Sequence, residues 1–214
     1  MLVTAEMRWF WRGAPPAGMG EWFHDTAVHA GPAGGGKART VEYVLDPAQV
    51  ELGIKRRRGK RGAEIKGLVA AHWGDVSIGP FSGTIELWTR WTSEALDIEL
   101  LPRISLEKRR WLRTFDTSTA AAYEIPLDES GRPLGQRPRP PSGCRVEWTH
   151  LTLAGGDRFF SLAFEAFGKV RSVEMDLCAV AVLLASRRPP VLRGGELASY
   201  PAFLARHAPG RASL

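Results

Sequence analysis

Basic residues at every second position of two segments are the side chains of this sequence that could do chemistry. Successive side chains of a β-strand point to opposite faces, so Lys55 shares a face with Arg57, and Lys108 shares a face with Arg110. Lys66 adds a charge on the segment that returns after the first pair. If these faces turn inward in a closed barrel, mutual repulsion and lost solvation favour binding of a multiply charged anion. A triphosphate meets that need because its many oxygens accept charge-assisted hydrogen bonds.

The same residues are also compatible with a purely structural role. Lysine and arginine on the outer faces of strands are normally solvated, and a charge run alone does not distinguish outer from inner faces. Aromatic residues within strands usually fill cores, but aromatics interleaved with arginine would also provide stacking surfaces for single-stranded nucleic acid or a nucleotide base. Six tryptophans lie within predicted strands, namely Trp9, Trp11, Trp88, Trp91, Trp111 and Trp148.

Nine segments rich in β-forming residues must position these side chains. The most informative are 51–58 and 63–70, which flank the four-residue loop 59–62 and predict a hairpin. Residues 31–36 are glycine-rich and predict a turn, and residues 22–23 predict a short helix. The other predicted strands are 4–11, 40–45, 84–92, 96–101, 104–115, 145–153 and 159–167.

The carboxy-terminal part changes to a helical period. Apolar residues at 173, 177, 180 and 184 predict a helix that ends before Pro189, and Ser199 can cap a last helix over 200–204. Short strands followed by helices favour a sandwich or barrel over a parallel sheet, and a barrel leaves no open edges. We therefore predict a mainly β (α+β) fold, an antiparallel closed β-barrel with C-terminal helices. One domain would span 1–214, with strands over about 4–167 and helices over about 169–207.

The composition is that of a folded protein with an anionic partner. The chain holds 29 Lys and Arg against 23 Asp and Glu, a net charge of +6. Its two cysteines support neither a disulfide scaffold nor a structural zinc site. No P-loop, dinucleotide fingerprint or nucleophile elbow occurs. The sequence shows neither a bilayer-spanning apolar run nor a secretory signal, so we expect a cytoplasmic protein with no membrane partner.

Three short motifs follow one another in a fixed order along the chain. Residues 50–59 read Val-Glu-Leu-Gly-Ile-Lys-Arg-Arg-Arg-Gly and are followed by Glu-Ile-Lys-Gly-Leu-Val, then by Lys-Arg-Arg from 108, and finally by Tyr-Pro-Ala-Phe-Leu from 200. This order resembles the CYTH family of triphosphate tunnel proteins, with its L-R-I-R and L-x-L-K-G hairpin, K-x-R strand and Y-x-x-x-L helix. The resemblance covers most of residues 4–207. Lys55 matches a basic hairpin position, Lys66 matches the family's lysine, and Gly53 replaces a basic residue.

The resemblance implies a basic tunnel that binds triphosphates or nucleotides, commonly with magnesium or manganese. Described activities in the family include inorganic and thiamine triphosphatases and adenylate cyclases. We expect the phosphates to be bound by six residues, with Arg57 and Arg90 as secondary candidates: Lys55, Arg57, Lys66, Arg90, Lys108 and Arg110.

Two departures concern the metal. The family's opening E-x-E-x-K motif reads Glu-Met-Arg-Trp-Phe from residue 6, so one carboxylate becomes arginine and the lysine becomes phenylalanine. A later E-x-E strand keeps one acid, Glu165. A magnesium site uses one or two carboxylates with substrate phosphates and water, so Glu6 and Glu165 could suffice. Glu86 and Glu147 are further candidates, for which a surface position is the alternative.

One hypothesis and two alternatives follow for function. The first is metal-dependent hydrolysis of inorganic triphosphate, a nucleotide or thiamine triphosphate, by attack of water on a terminal phosphorus. The second is a non-catalytic protein that binds polyphosphate or nucleotides and has lost the metal site. The third is a nucleic-acid-binding β domain, whose affinity would fall steeply with salt. The helix over 173–185 would support a homodimer, or be buried against the barrel.

Overall fold

The computed structural model describes residues 2–25, 34–46, 48–59, 61–134 and 138–207. Residues 31–33 of the predicted turn and Lys60 of the predicted hairpin loop lie outside these ranges. The described residues form ten strands and three helices, in the order β1 (Leu2–Arg12), α1 (Met19–Asp25), β2 (Gly34–Val44), β3 (Leu52–Arg57), β4 (Ala63–Ile78), β5 (Phe81–Ser93), β6 (Arg103–Asp116), β7 (Tyr123–Ile125), β8 (Gly143–Leu153), β9 (Arg158–Phe167), α2 (Val173–Ala185), β10 (Glu196–Leu197) and α3 (Tyr200–His207).

Eight of these strands close into a barrel. From β1 the sheet runs through β5, β4, β3, β2, β6 and β8 to β9, and β9 pairs with β1 again. Every pairing around this circuit is antiparallel. The short strands β7 and β10 add to β6 and β1 outside the circuit. The predicted closed antiparallel barrel with C-terminal helices is therefore confirmed.

Alternation along β1 separates the inside of the barrel from the outside. Met7 and Trp9 belong to a large apolar cluster that includes the buried face of α2. Glu6 and Arg8 line the interior. Phe10 continues the inward face but belongs to a second apolar cluster. Because successive side chains of a strand point to opposite faces, one strand supplies both an outer core and a charged interior.

The second apolar cluster fills one end of the barrel interior, and we call it the inner floor. Helix α3 completes it, since Phe203 stacks on Phe10 with ring centroids 4.0 Å apart. The helix begins where predicted, and the Ser199 Oγ accepts a hydrogen bond of 3.4 Å from the Ala202 N–H. The buried members of the inner floor are Phe10, Val41, Tyr43, Ile104, Leu106, Leu151, Leu153, Phe159, Phe203 and Leu204.

Helix α2 packs on the outside of the barrel against β1, β4, β5, β8 and β9. The four apolar positions that predicted it, from Val173 to Leu184, are all fully buried. Its outward side leaves Met175 and Val182 exposed. The homodimer stays a prediction. None of the helices in the described ranges is long and apolar enough to cross a membrane.

The segment 96–101 was predicted as a strand and is not one. Side chains bind the backbone here instead: the Ser93 Oγ accepts from the Leu96 N–H, and the Asp97 Oδ1 accepts from the Glu99 N–H. Such local hydrogen bonds compete with the ladder of a sheet, so the chain turns rather than extends.

Other predicted boundaries were also wrong. β2 begins at Gly34, inside the predicted turn, β4 runs on to Ile78 as a hairpin arm with β5, and β7 was not predicted. Apolar strand residues such as Leu52 and Ile54 normally point into a core. Leu52 instead is 39 % exposed, and its neighbour Gly53 lines the interior. The usual arrangement, with apolar residues inside and polar residues outside, is inverted on β3 because charged residues line the middle of this barrel.

The inner floor gives a stability prediction. Phe203→Ala should lower the free energy of unfolding by about 3–5 kcal/mol, since Phe203 is fully buried and its removal leaves a cavity against Phe10. The measurement is denaturant unfolding followed by tryptophan fluorescence. Met175→Ala, at a helix position that is 65 % exposed, is the control and should change the value by less than about 0.5 kcal/mol. If the two variants lost the same free energy of unfolding, the packing of α3 on the inner floor would not stabilise the barrel.

Candidate functional site

The barrel encloses a charged space beside the inner floor, which we call the chamber. Its empty volume is about 920 Å³, open solvent included. Eight basic residues and four carboxylates line it, so its formal charge is strongly positive. The basic residues are Arg8, Arg39, Lys55, Arg57, Lys66, Arg90, Lys108 and Arg110, and the carboxylates are Glu6, Glu64, Glu147 and Glu165.

The structure brings together nearly all of the residues predicted for the site. The six predicted phosphate-binding residues all line the chamber, as do Glu6, Glu147 and Glu165. These lysines and arginines therefore point into the barrel rather than lying on the outer faces, although Arg57 at the mouth of the chamber is solvent-exposed. Glu86 is not among the lining residues; it pairs in register with Glu6 and accepts a hydrogen bond of 2.8 Å from the Trp88 Nε1. Burial and the nearby Glu6 raise the pKa of Glu86 above its ordinary value.

Glu147 is the most strongly held carboxylate of the chamber. The Arg8 guanidinium lies 2.9 Å from its Oε1, and the Arg110 guanidinium lies 3.0 Å from its Oε2. Burial acts to raise the pKa of Glu147, but the charges of Arg8 and Arg110 outweigh burial and hold the pKa well below its ordinary value. Arg8 also donates a hydrogen bond of 3.2 Å to the Ser161 Oγ. The arginine that departs from the family motif is thus a fixed partner of Glu147.

The other three carboxylates of the chamber also face cations. Glu6 forms an ion pair with Lys66, and Glu64 forms one with Lys55 at 2.7 Å. Glu165 lies 3.6 Å from Arg90. Arg145, from outside the lining, also approaches Glu165 at 3.4 Å. Burial acts to raise the pKa of Glu165, but Lys66 and Arg90 outweigh burial and lower the pKa to about 2.

Three basic residues of the chamber have no carboxylate partner within the described ranges. These are Arg39, Arg57 and Lys108. They lie on neighbouring strands, since Arg39 of β2 is in register with Lys108 of β6, and Val41 of β2 is in register with Arg57 of β3. Burial and the charges of Arg110 and Arg57 lower the pKa of Arg39 from its ordinary value. Positive charge is therefore concentrated without compensation on this side of the chamber.

Lys108 has a different environment from the two arginines. Its Nζ donates a hydrogen bond of 2.5 Å to the Tyr43 Oη and lies 3.5 Å from the centroid of the Tyr200 ring. A tyrosine face attracts an ammonium by about 0.5–2 kcal/mol, whereas burying an ion costs several kcal/mol. Burial dominates, and together with the Lys55 charge it holds the pKa of Lys108 well below its ordinary value.

The basic surface continues from the chamber to the outside. A second cavity shares Arg39 and Arg57 with the chamber and adds Lys37 and Arg58. Among the described residues that line it, Glu129 is the one acidic residue. The two unpaired arginines therefore lie where the chamber meets a basic outer groove.

The carboxylates do not form a ready divalent-metal site. Magnesium and manganese prefer oxygen ligands, but every carboxylate of the chamber is taken up by lysine or arginine. Arg8 stands where the resemblance would place a second carboxylate of the opening motif. In the part of the chain that the structure describes, no group of three or more His, Cys, Asp or Glu is placed to hold a metal ion. The residues present do not fit a resident metal, and the metal stays a prediction.

Sequence reasoning missed several residues of the site. Arg39 was missed because the strand was predicted to begin one residue later, at position 40. The available signal was the alternation of strand side chains, which puts Arg39, Val41 and Tyr43 on the same face. All three residues line the chamber. Glu64 was not among the predicted site residues, and Arg8 was noted only as a departure from the motif.

No protein-family model matches this sequence, and no curated protein matches it either.

Proposed function

We propose that this protein binds a phosphorylated polyanion inside the barrel, without requiring a metal ion. Inorganic tripolyphosphate is the simplest member of that class. The observation that carries the proposal is that two permanently charged chamber residues, Arg39 and Arg57, and the neighbouring amine of Lys108 have no carboxylate partner among the described residues. They remain beside five further cations that are already paired with carboxylates.

The energetics of the chamber favour an anion with several charges. Arg39, Arg57 and Arg110 are close enough for their charges to lower the pKa of Arg39. Cations held together and partly removed from water are costly, and a bound anion relieves both the repulsion and the lost solvation. One charge relieves only part of this cost. A polyphosphate chain places several negative groups against the cluster and accepts bidentate hydrogen bonds from arginine.

The enclosed position of the cations supports a small ligand over a nucleic-acid strand. Lys108 is 8 % exposed and Arg8 is 9 % exposed, and both lie inside a closed ring of strands. Single-stranded nucleic acid is normally bound along an open groove with bases stacked on aromatic side chains. The outer groove with Lys37 and Arg58 would then hold the part of a longer ligand that extends from the chamber.

Metal-dependent hydrolysis is the second candidate function. Glu6 is in register with Glu86 on β5 and with Glu165 on β9, so the three residues share one face of the sheet, although the described residues include no group of three placed to hold a metal ion. A magnesium ion can be held by one or two carboxylates together with substrate phosphates. In this case a tripolyphosphate would bring the metal, and Lys66 would leave Glu6 for a phosphate.

The two candidates are separated by calorimetric titration of tripolyphosphate into chelator-treated protein. We expect binding in the absence of metal, about 100-fold tighter than binding of orthophosphate, because two further phosphate groups each add charge-assisted hydrogen bonds. Binding that appears only after magnesium or manganese is added would contradict the proposal.

Phosphate release from tripolyphosphate, ATP and thiamine triphosphate is measured in parallel with either metal. Turnover that is lost in both Lys66→Ala and Glu165→Ala would establish the second candidate. Glu124→Ala is a suitable control for the loss of a carboxylate, because Glu124 pairs with Arg113 outside the chamber. Metal-independent binding without turnover is the result that the proposal predicts.

A further inference from the structure

Lys108 is the one lysine of the chamber that has no carboxylate partner among the described residues. Lys55 and Lys66 are each paired with a glutamate. The Lys108 amine instead lies between the Tyr43 hydroxyl, at 2.5 Å, and the face of the Tyr200 ring, whose centroid is at 3.5 Å. It therefore lies where the charged chamber meets the inner floor, to which Tyr43 belongs and against which Tyr200 packs.

The surroundings of this amine disfavour its protonated form. Burial is the main cause and the nearby positive charges add to it, so the pKa of Lys108 lies well below its ordinary value. A lysine that is desolvated next to another cation carries a free lone pair and is a nucleophile towards carbonyl carbon. The titratable groups around it come from β1, β2, β3, β6, β8 and α3, and they are Arg8, Tyr43, Lys55, Arg110, Glu147 and Tyr200.

We infer that Lys108 captures the carbonyl of a phosphorylated aldehyde as a Schiff base, while the neighbouring arginines hold the phosphate group. Arg110 lies two residues along the same face of β6, and Arg39 is opposite Lys108 in register on β2. An aldehyde carbon and a phosphate on one small molecule would thus meet an amine and two guanidinium groups from adjacent positions. The inference rests on the proposed anion binding for the phosphate group only.

The reaction balances with the groups present. The Nζ lone pair attacks the aldehyde carbon, a C–N bond forms, and the carbonyl π electrons move to oxygen. A proton moves from nitrogen to that oxygen, which gives a carbinolamine. The nitrogen lone pair then forms the C=N bond as the hydroxyl leaves as water with a proton from the Tyr43 hydroxyl, and the nitrogen returns its proton to the Tyr43 oxygen to give the neutral imine. Burial raises the pKa of Tyr43, so its hydroxyl stays protonated and is placed to donate to the leaving oxygen.

Pyridoxal 5′-phosphate, trapped with borohydride, is the probe that tests this inference. The chain has six lysines, so peptide mass spectrometry can assign the reduced adduct to each of them. Lys169, which is exposed, serves as the internal reference. We expect labelling of Lys108 to exceed that of Lys169 by about tenfold or more, because Lys108 combines a buried amine of lowered pKa with neighbouring guanidinium groups that can hold the phosphate. Tripolyphosphate should suppress the label, and Lys108→Arg should remove it.

Pyridoxal without its phosphate distinguishes failure of this inference from failure of the proposed function. Labelling of Lys108 no greater than that of Lys169, in protein that binds tripolyphosphate, would overturn the inference and leave the proposed function standing. Equal labelling of Lys108 by both aldehydes, in protein that does not bind tripolyphosphate, would overturn the phosphate site on which the proposed function and this inference both rely. Labelling by pyridoxal 5′-phosphate alone, suppressed by tripolyphosphate, is the supporting result.

Discussion

Replacing Arg39 and Arg57 together by glutamine should weaken tripolyphosphate binding by about 10²–10⁴-fold. Neither arginine has a carboxylate partner within the described ranges, and both line the chamber where it meets the outer groove. A hydrogen bond to a charged group contributes about 1.5–3 kcal/mol, and each 1.4 kcal/mol is about tenfold in affinity. The loss is measured by calorimetric titration in the absence of metal.

A matched control lies on the opposite face of the same strands. Arg56 and Arg109 are neighbours of chamber residues but point outward, and replacing both by glutamine removes the same two charges. Arg56 pairs with Glu42 at 2.8 Å, and Arg109 donates a hydrogen bond of 2.8 Å to the Gly36 carbonyl. We expect this pair of changes to alter affinity by less than about threefold, because neither side chain lines the chamber. Similar losses in the two double variants would show that the barrel interior is not the binding site.

Glu147→Gln should lower stability and raise affinity at the same time. The change leaves Arg8 and Arg110 without their carboxylate, and breaking a buried ion pair in this way costs about 3–5 kcal/mol of unfolding free energy. The two guanidinium groups then become available to phosphate oxygens, so tripolyphosphate should bind about tenfold tighter or more. Denaturant unfolding without ligand and calorimetric titration below the unfolding transition give the two values.

Glu124→Gln separates the two effects. Glu124 is a buried carboxylate that also pairs with two arginines, Arg113 at 2.6 Å and Arg187 at 2.9 Å, but it does not line the chamber. This variant should lose stability on a similar scale without a gain in affinity. If Glu147→Gln binds tripolyphosphate more weakly than the unchanged protein, then Glu147 contributes to binding, and a metal held by that carboxylate would become the better explanation.

The sequence was sufficient to predict the barrel because the strands that form it have local signals in the chain. Strand length, alternation and turn residues predicted all eight of the barrel strands, and the change to helical spacing after residue 168 predicted α2. The false strand over 96–101 has an equally β-like composition. It is excluded by the hydrogen bonds of Ser93 and Asp97 to nearby backbone, which depend on local geometry rather than on composition.

The site was predicted better than its internal chemistry. Strand parity correctly placed Lys55, Arg57, Lys108 and Arg110 on shared faces, but parity alone did not say which face is inward. The resemblance supplied that choice. The ion pairs between strands could not be predicted from the sequence, because they depend on strand register. The alignment of β1, β4 and β5 decides whether Glu6 is free to bind a metal or is paired with Lys66.

The same limit explains the residues that were missed. Arg39 lies one position before the start of a predicted strand, and the boundaries of strands are the least certain part of such a prediction. Tyr43 lies within a predicted strand, but its hydroxyl contact with Lys108 joins β2 to the adjacent strand β6. A contact between residues so far apart in sequence has no local signal.

The position of bound tripolyphosphate in a crystal structure of the chelator-treated protein tests the central claim most directly. The account predicts tripolyphosphate inside the barrel, with phosphate oxygens at about 3 Å from the guanidinium nitrogens of Arg39, Arg57 and Arg110 and with no metal ion between them and the carboxylates. Tripolyphosphate bound only on the outer surface, or bound inside through a metal held by Glu6 and Glu165, would contradict it.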